Sequence, residues 1–255
     1  MNTWTMPRIP WIAPDDHVSP FPDVETALRE PNGLLAIGGP LSAQRLERAY
    51  RSGIFPWFSE DQPVLWWSPD PRLLIYPRAL RISRSLRKRL RHRDYRLTMD
   101  QRFHGVIEAC AAPRQSQHGT WITPEMMAAY LELHRRGIAH SIEVWQDDAL
   151  AGGLYGVSLG AAFFGESMFS RATDASKIAL VWLATQLDAW SFDFIDCQMP
   201  TPHLTALGGV EISRRRFIRA LDSALAYPTH LGPWAFSARL DPLAWVNRTL
   251  AEGKP

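Results

Sequence analysis

The chain has 255 residues, 46% of them apolar and 21% charged, a make-up that fits one or two globular domains with a buried core and excludes a disordered or fibrous chain. No apolar run nears the roughly 18 residues that cross a bilayer. Met1 to Pro7 have neither the basic start nor the apolar stretch of a secretory leader, and two cysteines, Cys110 and Cys197, are too few for a disulfide framework, so a cytoplasmic protein is expected. A net charge of +2 is too small to imply a polyanionic partner by itself.

Residues 1–72 are rich in proline and aromatics, as in Phe21-Pro22, Phe55-Pro56-Trp57-Phe58 and Trp66-Trp67-Ser68-Pro69-Asp70-Pro71. They hold one clear helix, capped by Ser42, striped by Leu46, Ala49 and Tyr50, and ended by Gly53. A small, loop-heavy first domain is expected over 1–72, and a second over 73–255. The second begins with a basic run. From Arg78 to Arg96 the chain carries Arg78, Arg81, Arg84, Arg87, Lys88, Arg89, Arg91, Arg93 and Arg96 against the single acid Asp94. Ser83 to Arg91 reads as a helix docked by Leu86 and Leu90 with its arginines outward. Such a helix binds phosphate backbones through charge and counterion release, without reading sequence. The plainer alternative is a solvated face. A membrane surface would want a wider apolar face with Trp or Phe.

Asp100 is expected to cap a helix through Phe103, Ile107 and Cys110, and Thr123-Pro124 to open another that carries Met127, Tyr130, Leu131 and His134 and stops at Gly137. Strands follow at 141–145, 152–158 and 161–169, the last two divided by Gly160, and form an antiparallel meander. Thr173 or Asp174 caps the next helix, where Ala179, Leu180, Leu183, Ala184, Leu187 and Trp190 keep helical spacing. A strand at 192–198 comes next, and Ser213 caps the last clear helix, with Phe217, Leu221 and Leu225 inward. Hairpin-linked strands followed by one reached through a helix predict an α+β fold, a mixed sheet with helices packed on it. The pattern fits acyltransferase folds of the GNAT type.

Four features could carry chemistry. Alternation along a strand puts Asp196 and Gln198 on one face at its C-terminal end, where loops leave a crevice. A carboxylate there orients or deprotonates a nucleophile, and an amide donates to a developing oxyanion. A polar strand end satisfied by backbone is the plainer alternative. Glu166 stands between aromatics in Phe164-Gly165-Glu166-Ser167-Met168-Phe169, where an acid is costly unless paired, with Arg171 as the plain partner. Gly165-Glu166-Ser167 is no nucleophile elbow, because Met168-Phe169 stand where a second glycine is needed and no helix opens there. Cys197 faces away from Asp196 and reads as a buried structural thiol. The histidines keep no metal-ligand spacing, so no metal is expected. Among 11 tryptophans most serve the core, but Trp57 and Trp121 sit at turns, where an aromatic ring stacks on an unpaired base for about 1–3 kcal/mol.

Taken together, these segments resemble the leucyl/phenylalanyl-tRNA–protein transferase family. The matching stretches are Arg29-Glu30-Pro31-Asn32-Gly33-Leu34-Leu35-Ala36, Gly53-Ile54-Phe55-Pro56-Trp57-Phe58, Leu65-Trp66-Trp67-Ser68-Pro69-Asp70-Pro71-Arg72, Gly119-Thr120-Trp121-Ile122-Thr123, His140-Ser141-Ile142-Glu143-Val144-Trp145, Gly165-Glu166-Ser167-Met168-Phe169-Ser170 and Asp196-Cys197-Gln198, in family order. Ile82-Ser83-Arg84-Ser85 also opens the basic helix as in the family.

The resemblance implies transfer of leucine or phenylalanine, and less well methionine, from aminoacyl-tRNA to the N-terminal Arg or Lys of an acceptor protein, marking it for N-degron proteolysis. It implies a small N-terminal domain before a GNAT-like one, no cofactor, no membrane and a monomer. It casts Trp57 and Trp121 as the holders of the terminal adenosine. Leu154, Phe163, Leu180, Leu183, Leu187 and Ile195 become the walls of the side-chain pocket, and leucine at 154, 183 and 187 replaces larger residues frequent in relatives. Asp196, Gln198 and Glu166 form the polar centre, and Arg84, Arg87, Lys88 and Arg91 contact the tRNA backbone.

An aminoacyl ester is already activated, and an α-amine with a pKa of about 7.7–8.0 is partly neutral near pH 7, so positioning and charge control remain. The expected arrangement has Asp196 orienting Gln198 while the pair holds the amine. Glu166 alternatively recognises the ammonium or the basic first side chain. Three rivals stand beside this. An acetyl-CoA enzyme would want glycine in Arg171-Ala172-Thr173-Asp174-Ala175-Ser176-Lys177, which has none. The others are a tRNA-dependent cell-wall ligase of similar fold and a non-catalytic RNA-binding protein.

Overall fold

A computed structural model describes residues 9–92, 94–112 and 120–251. Met1 to Pro7, Arg93 and Gly119 lie outside the described residues, so expectations resting on them go no further.

The N-terminal part builds a four-stranded sheet in the order β1-β2-β4-β3 from β1 (Trp11–Ile12), β2 (Leu34–Gly38), β3 (Phe55–Pro56) and β4 (Leu65–Trp67). Helix α1 (Ala43–Arg51) joins β2 to β3. The Ser42 hydroxyl accepts from the Arg45 N–H, and Leu46, Ala49 and Tyr50 are buried as their spacing predicts.

The larger sheet has seven strands in the order β11-β5-β10-β9-β8-β7-β6. They are β5 (Arg72–Ile75), β6 (Arg96–Met99), β7 (Ala139–Gln146), β8 (Ala149–Leu159), β9 (Ala162–Ser170), β10 (Phe194–Asp196) and β11 (Val210–Ile212). β6 to β9 form the antiparallel meander, and β10 returns parallel to β9 through α5 (Ala175–Ala189). β5 and β11 complete the far edge antiparallel. The sheet is mixed and helix-covered, as expected. At Gly156 a Cβ would come 2.2 Å from the Phe164 carbonyl oxygen and 2.5 Å from the Phe163 ring, so only glycine lets that ring lie across β8.

Helices α2 (Arg84–His92), α5 and α8 (Pro242–Ala251) enclose one apolar cluster with Phe163 and Ile195. On the other side, Leu46, Tyr50 and Trp66 share a second cluster with Tyr130, Phe164 and Phe217, so the N-terminal sheet and the large sheet have a common core. That cluster also takes in α3 (Phe103–Ala111), α4 (Pro124–Arg135) and α7 (Arg214–Leu225).

Thr123 and Ser213 cap α4 and α7 as expected. Asp100 does not cap α3. The N-cap is Arg102, while the Asp100 carboxylate, on a backbone with φ 56°, meets the His140 ring at 2.8 Å and accepts from the Ser141 and Trp234 N–H groups at 2.8 and 2.7 Å. Asp174 does occupy the N-cap of α5, but its carboxylate binds Lys177 and the Ser170 hydroxyl accepts from the Ser176 N–H instead. The strand expected at 192–198 is shorter and stops at Asp196. α7 is not the last helix, because α8 follows it, opened by the Asp241 carboxylate accepting from Leu243 and Ala244, and a short helix, α6 (Pro202–Ala206), precedes α7.

Candidate active site

Asp196 ends β10 and is fully buried. A carboxylate there needs a partner, and Arg72 at the start of β5 supplies it, also fully buried. Its Nε donates to Oδ1 at 2.9 Å and its Nη2 to Oδ2 at 2.7 Å, a bidentate pair. Nη1 donates to the Gly53 carbonyl at 3.1 Å, and the guanidinium lies 4.4 Å from the Phe217 ring centroid.

Asp196 and Gln198 do meet, though not by strand alternation. The chain turns after Asp196, and Gln198 adopts φ 58°. Its backbone N–H donates to Asp196 Oδ1 at 3.0 Å, and its side-chain Nε2 approaches Glu166 Oε1 at 3.4 Å. The carboxylate thus fixes the turn, and the turn aims the amide.

Glu166 on β9 is not paired with Arg171, which packs on Phe169. Its Oε2 accepts from the Tyr130 hydroxyl of α4 at 2.7 Å, and the Tyr50 hydroxyl of α1 meets Tyr130 at 2.5 Å. Burial pushes the Glu166 pKa up to about 7 against the pull of these hydroxyls. Burial also raises both tyrosines well above their usual value, so they remain protonated donors at neutral pH. Cys197 borders the same space, and burial raises its thiol far from the thiolate form, which argues against a nucleophile.

The contacts close a circuit. It runs from Tyr50 through Tyr130, Glu166, Gln198, Asp196 and Arg72 to the Gly53 carbonyl, and the Gly53 N–H donates back to the Tyr50 carbonyl at 3.0 Å. Arg72, Tyr50 and Tyr130 were missed as site residues. An arginine heading the apolar run Leu73-Leu74-Ile75 was the available signal for a buried ion pair. The tyrosines gave none, since each also fits an apolar helix stripe.

Beside this centre is a cavity of about 130 Å³ whose apolar lining includes Leu154, Phe163, Met168, Leu180, Leu183 and Ile195, with Glu166 and Gln198 also on its wall. Five of the six expected pocket residues line it. Leu187 does not, being fully buried in the core cluster with α2 and α8. Leu180 and Leu183 reach it from α5 at i, i+3 spacing.

Trp57 is 42% exposed and stands edge-on to Trp67, whose indole N–H holds the Trp57 carbonyl at 2.6 Å. Trp121 is half-buried against the core cluster shared by the two sheets, and neither tryptophan lines the cavity. On α2, Leu86 and Leu90 are buried, Arg84, Lys88 and Arg91 are exposed, Arg87 is half-buried, and Arg89 pairs with Asp94 at 2.8 Å. Among the described residues no group of three or more His, Cys, Asp or Glu is placed to hold a metal ion, and no helix is long and apolar enough to cross a membrane.

The profile of a family described as leucyl/phenylalanyl-tRNA protein transferase matches residues 74–222, and that of its N-terminal domain matches 39–70. A protein named leucyl/phenylalanyl-tRNA--protein transferase from Alkalilimnicola ehrlichii is 55% identical over 240 residues, covering 94% of this chain and 93% of its own. Relatives of the same name from Nitrosomonas europaea and Pseudomonas syringae pv. syringae are 58% and 60% identical, over 86% and 82% of this chain and 92% and 91% of theirs.

The chain belongs to this family.

The family match from 74 to 222 contains Tyr130, Glu166, Asp196 and Gln198, and the N-terminal match contains Tyr50, Gly53 and Trp57, so the circuit apart from Arg72, which falls between the two matches, lies in family sequence. A solved structure, L-PGS from Bacillus licheniformis, aligns over 85% of this chain and 72% of its own at 9% identity and a TM-score of 0.36, a likeness too remote to carry weight.

Proposed function

We propose that this protein transfers leucine or phenylalanine, and less well methionine, from aminoacyl-tRNA to the α-amine of proteins that begin with Arg or Lys, and that the product is an N-degron substrate. The carrying observation is one apolar cavity, sized for a single side chain, walled on one side by Glu166 and Gln198. The aminoacyl side chain fills the cavity, and this places its ester carbonyl beside the polar wall. Trp57 and Trp121 hold the terminal adenosine, and Arg84, Arg87, Lys88 and Arg91 contact the tRNA backbone. In the same reading the larger sheet and its helices form a GNAT-like domain, and the protein is a cytoplasmic monomer.

The reaction needs no ATP, because the ester is the activated bond. Glu166, half ionised near pH 7, accepts a proton from the incoming ammonium. The freed amine attacks the carbonyl, the C–N bond forms, the acyl C–O bond to the ribose breaks, and the departing ribose oxygen takes up the proton that the nitrogen sheds as the amide forms. Gln198 donates to the acyl oxygen or steadies the amine, and Asp196 acts through the Gln198 backbone. Asp196 is a positioning residue here, because Arg72 and the Gln198 N–H occupy its oxygens and it has no exposed surface.

The test mixes the protein with labelled Leu-, Phe- and Met-tRNA and peptides starting with Arg, Lys or Ala. Transfer to Arg and Lys peptides only, with Leu and Phe ahead of Met, is expected. Asp196→Asn and Gln198→Ala should each slow transfer far more than they weaken tRNA binding. Near-normal turnover in both variants sinks the residue assignment, and transfer to no peptide sinks the function.

A further inference from the structure

A second cleft, of about 370 Å³, lies outside the machinery described so far. Arg81, Ser83 and Leu86 line it where α2 begins, and Lys177 of α5, His203 of α6 and Thr249 of α8 line its other walls. Two helices border both clefts. On α6, Leu204 lines the amino-acid cavity while His203 lines the second cleft. On α5, Leu180 lines the first while Lys177, one turn earlier, lines the second. The second cleft therefore adjoins the amino-acid cavity at α5 and α6 and reaches the first turn of α2 at Leu86.

Its chemistry is one-sided. Arg81, Lys177 and His203 line it together with Ser83, and among the described residues no Asp or Glu does. Lys177 also bridges Asp174, one turn back on its own helix, at 2.7 Å. Arg81 and His203 are exposed. The base of Arg81 is fixed, since its N–H donates to the Leu207 carbonyl at the end of α6 at 2.8 Å. That contact needs Gly208, which sits at φ +100° and where a Cβ would lie 2.6 Å from the Ala79 carbonyl oxygen and 3.2 Å from Arg81. An arginine on an anchored base, in a cleft that a histidine and a lysine also line and that holds no acid among the described residues, suits a phosphodiester.

We propose that this cleft is a phosphodiester subsite for the single-stranded 3′ end of the donor tRNA, between the terminal adenosine and the acceptor stem on α2. The proposal rests on the donor being an aminoacyl-tRNA. Its volume of about 370 Å³ and the exposed Arg81 and His203 suit a strand lying along it, and its place next to the amino-acid cavity fits the phosphates nearest the ester.

Three leucyl donors test it: leucyl-adenosine, which has no internucleotide phosphate, a leucyl trinucleotide of the tRNA 3′ end, and leucyl-tRNA. The double variant Arg81→Ala, His203→Ala should raise KM about tenfold for the trinucleotide and for tRNA, leave leucyl-adenosine unchanged, and spare kcat. The slope of log KM against log salt should fall by about 0.7 for each lost single-strand phosphate contact, and Arg81→Lys should restore most of it. Equal losses with all three donors would mean a structural role and overturn the subsite. So would a loss confined to full tRNA, which would place the contact on the stem, or no loss with any donor. Failure of the unaltered protein to transfer from leucyl-tRNA would instead overturn the donor reading itself.

Discussion

Burial brings the Glu166 carboxyl into the neutral range of pH. Its folded pKa of about 7 lies above the usual carboxylate value because burial disfavours the charge. If the ionised form accepts the ammonium proton, kcat/KM rises with pH through about 7, and Glu166→Gln removes that limb. Tyr130 works in the opposite direction to burial, since its hydrogen bond lowers the Glu166 pKa. Tyr130→Phe should therefore move the limb about one unit to higher pH while the fold holds, as a pH–rate profile of the two variants will show. An unmoved limb would mean that Glu166 is not the titrating group. The same shift has a stability consequence. A raised carboxyl pKa means the folded state holds the proton more tightly, so the cost of ionising Glu166 is absent below about 4.5 and complete above about 7. Glu166→Gln should then unfold at higher temperature than the parent at pH 8, by an equivalent of about 1–3 kcal/mol, and lose that advantage at pH 4. Arg72 is the opposite case. Arg72→Met leaves a buried Asp196 carboxylate without its bidentate partner, so urea unfolding should show a loss of about 3–5 kcal/mol, with Asp196→Asn in the same background recovering part of it.

Among the elements, α5 gives the apolar cavity part of its wall, and in the proposed function that cavity takes the donor side chain. Leu180 and Leu183 reach the cavity but Leu187 does not. Periodicity identified the inward face of the helix correctly, yet a stripe of equal leucines does not say how deep each one sits. Leu183→Ala should widen the cavity and raise the preference for Phe over Leu donors, by about tenfold in the ratio of kcat/KM values, measured with mixed aminoacyl-tRNAs. An unchanged ratio would take Leu183 off the pocket wall. The helix starts show the same limit. Ser42, Thr123 and Ser213 cap the helices their sequences predict, because a hydroxyl reaches a backbone N–H two or three residues on. Asp100 offers the same local signal, but its carboxylate is taken by His140 and Trp234, which are distant in sequence and invisible to a local reading. Asp196 and Gln198 were legible as a pair. Their geometry was not, because alternation assumes that the strand continues and Gln198 sits in a left-handed turn.

At the scale of the whole molecule, the proline-rich first part looked like a separate small domain. Its core does not stop at the linker. Leu46 and Tyr50 of α1 pack in the same cluster as Tyr130, Phe164 and Phe217, the last turn of α1 contributes the Tyr50 hydroxyl, and Gly53, just past its C-cap, contributes its carbonyl to the circuit around Asp196 and Glu166. None of this could be read from segments, because the circuit's contacts join residues 80 and 124 positions apart in the sequence. The shared core predicts one cooperative transition. Leu46 is fully buried, so Leu46→Ala should cost about 2–5 kcal/mol through the cavity it opens. If the two sheets unfold together, loss of activity and loss of tryptophan fluorescence follow one urea curve in both proteins, and the variant shifts both midpoints equally. Activity lost at lower urea than fluorescence would mean that the first part detaches alone. In that case the circuit through Tyr50 and Gly53 would be a contact between two independent units, and the reaction centre would be as stable as the weaker of them.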